Sequence, residues 1–197
     1  MVFLPTRTGP QNDASESCLE PFSRGARVII DLLDVVNTIR DGDHLQCAVF
    51  LAQEFGLLSE HVFLFGATGP APHRPHSLLL EGHFYALLRD GIVDLDGTGR
   101  LRLRRDLFAL PPSGMAARRL AALSTLSPRE AAIFAAAVLH LAGAGRHAGS
   151  RRHDGAFEEA VAHLAACGED NQSIDVAAIG DARRRLMPVA PVLLTPT

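Results

Sequence analysis

"HSLLLEGHFYALLRDGIVDLDGTGRLRLRR", residues 76–105, is the stretch on which the fold turns. It divides at Glu81-Gly82, Asp90-Gly91 and Gly97-Thr98-Gly99 into short β-rich pieces. Asp-Gly between two apolar runs is the strongest short-range signal for a β-hairpin, so the segment reads as an antiparallel meander. A two-residue turn at Asp90-Gly91 pairs Arg89 with Ile92, Leu87 with Asp94 and Tyr85 with Asp96. Strand side chains return to one face at every second residue. His83, Tyr85 and Leu87 therefore share a face with Asp94, Asp96 and Thr98. One imidazole and two carboxylates on one side of a hairpin form the base-and-orienter half of a nucleophilic triad. "RLRLRR" (100–105) ends the meander with Leu101 and Leu103 inward and the arginines on a solvated face.

The nucleophile is sought upstream, in "GDHLQCAVFLAQEFGL" (42–57). The apolar run predicts a helix starting at Leu45 or Gln46, with Asp43 or His44 near its cap, and running to Gly56. Cys47 then stands in the first turn. There the positive end of the helix dipole and the unpaired N–H groups favour thiolate and can steady a developing oxyanion. The opposing reading is a small buried core residue, which a Cys before "AVFLA" often is. A preceding helix is expected in "SRGARVIIDLLDVVNTIRDGDH" (23–44), where Val28, Ile29, Leu32, Leu33, Val36 and Ile39 recur near a helical period. Asp41-Gly42-Asp43 ends it. "HVFLFG" (61–66) predicts a short strand and "ATGPAPHRP" (67–75) a surface loop.

Beyond residue 112 the pattern becomes helical. "SPREAAIFAAAVLHLAG" opens with Ser127 as N-cap, Pro128 at the first helical position and Glu130 completing a capping box. "DGAFEEAVAHLAACG" (154–168) and "IDVAAIGDARRRLM" (174–187) are two further amphipathic candidates. The organisation expected is a loose lead-in over 1–20, a core over 21–112, and a helical section over 113–197 packed on it.

Composition narrows the partners. The 197 residues carry a net charge of −3, which makes no electrostatic case for nucleic acid or an anionic membrane. All 19 basic side chains other than His are Arg. Three Cys (Cys18, Cys47, Cys167) are too few and too scattered for a disulfide framework or a thiolate zinc cluster, and fit a reducing compartment. No basic and apolar leader opens the chain and no apolar run is of bilayer-spanning length, so the expected location is cytoplasmic, with export lacking a Sec signal compatible. His73, His76 and His83 fall in H-x2-H-x6-H, but no Cys or Glu completes a recognised zinc spacing, so no metal is assigned. His76 is the alternative base. Dinucleotide and P-loop glycine fingerprints and G-x-S-x-G are absent, and no cofactor is expected.

A Cys opening a helix, then a strand bearing His and the next bearing Asp, resembles the order found in transglutaminase-like and papain-like cysteine enzymes. "HFYALLRDGIVDLDG" (83–97) is similar to the bacterial transglutaminase-like pattern H-x-W-V-x-L-D-G-x-V-x-D-[LIV]-T. His83 falls on its His, Asp90-Gly91 on its turn and Asp94 on its Asp. Tyr85 replaces the usual Trp, and Asp96-Gly97-Thr98 departs from the usual ending, which keeps Asp96 open as the orienter. The resemblance spans roughly residues 42 to 98. It implies an α+β fold, a papain/transglutaminase-like core with helices on a short antiparallel sheet. It also implies a cysteine-dependent hydrolase or acyltransferase acting on amide bonds of a peptide or protein. Cys47 would attack, His83 would shuttle the proton, and Asp94 or Asp96 would fix the tautomer. Gln46, His44 and Tyr85 would border the substrate. The different reading is a non-catalytic binding module that keeps the fold without the chemistry. Neither reading specifies an oligomeric state.

Overall fold

The computed structural model describes residues 22–58, 62–66, 74–104, 120–147 and 176–186. Helix α1 (Arg24–Val35) is started by Ser23, whose Oγ accepts from the Ala26 N–H at 3.2 Å. Its buried stripe, Ile29, Ile30, Leu32 and Leu33, continues into Val36 and Ile39 of the following turn. Helix α2 (Gly42–Glu54) begins three residues earlier than its apolar run suggested. The reason is local: Asp41, not Asp43 or His44, is the N-cap, and its carboxylate accepts from the His44 N–H at 2.8 Å. Every residue from His44 to Gln53 is buried. A helix covered on all sides is a central one, and its most extensive packing is against the long helix Pro128–His147.

The decisive stretch folds otherwise than its turn signals indicate. Leu78–Arg89 is helix α3, capped by Ser77, whose Oγ accepts from the Leu80 N–H at 3.4 Å. Leu80, Phe84 and Leu87 are buried at i, i+4 and i+7, a helical spacing and not a strand alternation. Leu, Glu, Ala and Arg supply helix propensity. Asp90-Gly91 is the helix stop instead of a hairpin turn. Gly91 (φ 67°) takes the left-handed position after the cap, its N–H donates to Leu88 O at 3.1 Å, and the Ile92 N–H donates to Leu87 O at 2.9 Å. These two bonds make a Schellman motif, with Ile92 and Leu87 as its apolar pair.

The hairpin lies one turn later. Strands β1 (Val93–Leu95) and β2 (Leu101–Leu103) pair antiparallel, Val93 opposite Leu103 and Leu95 opposite Leu101. Leu101 and Leu103 are buried and Arg102 is exposed, the alternation expected of "RLRLRR". β2 is tied to the α1–α2 turn through the Leu101 N–H and Ile39 O, 2.8 Å. The expected strand at 61–66 is reduced, among its described residues, to a single antiparallel bridge between Gly66 and His76.

A 3-10 turn (Ala122–Thr125) leads into α4 (Pro128–His147). The Glu130 N–H donates to Ser127 Oγ (3.2 Å) and the Ser127 N–H to Glu130 Oε2 (2.7 Å), the capping box read from the sequence. Helix α5 (Val176–Leu186) buries Ala182 and Leu186, and Arg185 bonds Thr125 O (2.6 Å) and Glu130 Oε1 (2.7 Å). The architecture is α+β, mostly helical, with a two-stranded antiparallel sheet. The expected helix over 154–168 lies outside the described residues, as do Cys18, Cys167 and His73. No helix among the described residues is long and apolar enough to cross a membrane.

Candidate functional site

Because α2 starts at Gly42, Cys47 sits in its second turn, beyond the free N–H groups of the helix end. Its side chain is 1% exposed within the apolar cluster that includes Leu45, Val49 and Leu51. Burial pushes the thiol from 9.0 up to about 12; Arg74 offsets this in part, while Asp43 and Asp41 add to it. A thiol so placed is protonated at neutral pH, the opposite of an activated nucleophile.

His83 lies on helix α3, not on a strand. Its Nδ1 is 3.2 Å from Ser23 Oγ, at the cap of α1. The ring crosses Gly25, where an added Cβ would stand 2.4 Å from Cδ2 and 2.6 Å from Nε2. Its other neighbour is the Phe63 ring, edge-on at 6.2 Å. The shared face expected for His83, Tyr85 and Leu87 does not exist, since a helix turns successive residues by about 100°. Leu87 is buried while Tyr85 is exposed.

The two acids lie on the β1–β2 hairpin. Asp94 is exposed on β1, opposite Arg102. Asp96 closes the hairpin loop: its Oδ1 accepts from Thr98 Oγ1 (2.6 Å), the Thr98 N–H (2.8 Å) and the Arg100 N–H (3.0 Å). The Thr98 hydroxyl, then the Arg100 and Thr98 amides, hold its pKa below the ordinary carboxylate value.

Gln46, next to the thiol, is a backbone clamp. Its Nε2 donates to Ser77 O (3.1 Å) and its Oε1 accepts from the Ser77 N–H (3.0 Å). Seven residues on, Gln53 repeats the pattern on Phe63, with both bonds 3.0 Å. The two amides stand in for an absent neighbouring strand on the two arms of the Gly66–His76 bridge, satisfying the buried N–H groups of Ser77 and Phe63. His44 is buried, and its Nδ1 accepts from the Arg40 N–H at 3.3 Å, which requires the neutral ring. Burial, opposed by Asp41 and helped by Arg40, lowers its pKa. His76 faces Glu81 at 3.4 Å. Among the described residues no group of three His, Cys, Asp or Glu side chains could hold a metal ion.

What the strand reading concealed is the outer face of α3. Leu78 is 77% exposed, Leu79 54% and Tyr85 59%, and Gly82 lies between them. Leu64, 93% exposed, stands two residues from the Gly66–His76 bridge on one arm, as Leu78 does on the other. The signal was available in "LLLEGHFYALLR": apolar residues fall on every side of a 3.6-residue period. A concavity of about 600 Å³ near α5 is lined by Glu130, Asp181, Arg184 and Arg185. Each of its arginines pairs with one of its acids.

Comparison with protein-family models finds no match, and comparisons with curated proteins and with solved structures find none either.

Proposed function

We propose that this protein is a non-catalytic interaction module that docks a protein partner on the outer face of α3. One observation carries the reading: a helix already packed by Leu80, Phe84 and Leu87 turns Leu78, Leu79 and Tyr85 to solvent. A helix apolar all round belongs between two packing surfaces. The largest apolar patch on a folded monomer, roughly 300–600 Å², is often a functional one. The buried thiol and the imidazole held by Ser23 support the absence of cysteine chemistry. A transglutaminase-like ancestry would then survive only in the order of the motif residues.

Photo-crosslinking from position 85 tests this. Benzoylphenylalanine there should yield a defined protein adduct, identified by mass spectrometry and abolished by Leu79→Asp, while the same group at Arg102 yields none. The competing cysteine-enzyme reading prevails if no adduct forms and folded protein cleaves or deamidates peptide amides in a manner lost on Cys47→Ala.

A further inference from the structure

We infer that the occupant of this face is a second copy of the chain, its α3 packed antiparallel on the first across a twofold axis. The inference rests on the interaction reading above and names its partner. Gly82 is the first support. Glycine within a helix carries a conformational cost, normally tolerated where something must approach closely. Among the described residues nothing does: a Cβ at Gly82 would meet no atom within 4 Å. The notch therefore faces outward, at the centre of the exposed apolar face.

The second support is that the face complements itself. Leu78, Gly82, Tyr85 and Arg89 fall at i, i+4, i+7 and i+11, the seam spacing of a helix pair. Reversed about the point midway between Gly82 and Tyr85, the seam sets each Tyr85 ring into the other copy's Gly82 notch. It lays each Leu78 along the aliphatic stem of the other copy's Arg89. A twofold interface demands this reciprocity, with residue i meeting j and j meeting i. Charge agrees. α3 has Glu81 in its first turn and Arg89 in its last, and antiparallel packing brings each Glu81 within one turn of the other Arg89. The helix dipoles also oppose each other.

A face this small lies at the weak end of specific interfaces, so association is to be sought at roughly 10–500 μM protein. Sedimentation equilibrium of the full chain should show a monomer–dimer equilibrium over that range. Gly82→Gln should weaken dimerisation at least tenfold while leaving the monomer's thermal midpoint unchanged or higher, because Gln is a better helix former. A merely destabilising change would lower both. Arg89→Glu should weaken association, and adding Glu81→Arg should restore it. A strict monomer at 500 μM overturns the self-association. If position 85 still crosslinks to another protein, the interaction reading stands without it; if not, both fall. A dimer indifferent to Gly82→Gln and Tyr85→Asp, or a charge exchange that restores nothing, overturns the antiparallel seam.

Discussion

The imidazole of His83 lies across Gly25, so close that a methyl group there would fall 2.4 Å from its Cδ2. The contact joins α3 to the first turn of α1, with Ser23 Oγ on Nδ1 and the Phe63 ring on the other side. His83 thus serves as a spacer between two helices.

Gly25→Ala should therefore destabilise the fold although alanine is the better helix former. Overpacking against a held ring costs about 1–3 kcal/mol, against about 1 kcal/mol of helix propensity gained. Urea denaturation of Gly25→Ala should show the loss. In a His83→Ala background the same substitution should become neutral or stabilising.

Gln46→Ala should cost about 1–3 kcal/mol, because it leaves the N–H of buried Ser77 without a partner, while the Ser77 carbonyl keeps its bond from the Glu81 N–H at 3.0 Å. Amide exchange at Ser77 should accelerate alongside. Gln46→Glu should fare little better, since a second acceptor would face the Ser77 carbonyl.

Cys47 should resist iodoacetamide at pH 7–8 in folded protein and react only with denaturant present. Its folded pKa, about 12, is raised above the ordinary 9.0, so the unfolded chain gives up the thiol proton first. The resulting stability is intact below pH 9 and is lost as pH climbs toward 12. Cys47→Ala should flatten that alkaline decline in a denaturation series.

His44 acts at the other end of the scale. Its folded pKa lies below the ordinary 6.5, so the unfolded state takes up the proton first as pH falls. Its contribution is present above pH 6.5 and is lost on acidification, when protonation of Nδ1 breaks the bond from the Arg40 N–H. His44→Asn, which retains an acceptor without a titrating ring, should reduce the loss of thermal stability between pH 7 and pH 5.

Local signals were readable where one chemistry had one structural meaning. Ser127 and Glu130 announced the start of α4, and the alternation of Leu101, Arg102 and Leu103 announced β2. Asp90-Gly91 had two meanings. A glycine at positive φ suits a tight hairpin and equally the residue after a helix cap. The buried i, i+4, i+7 set of Leu80, Phe84 and Leu87 decided for the cap, and the hairpin moved to Asp96–Arg100. Shifting that one boundary put His83 on a helix and separated it from the acids that had been its expected orienters.

The chain's own chemistry determined the helix starts at Ser127 and the alternating β2, because capping and pleating depend on neighbours a few residues away. Tertiary packing alone decided the depth of Cys47 and the direction of His83. Those depend on Ser23, Gly25 and Phe63 and on the helices around α2, partners far off in sequence that no local periodicity encodes.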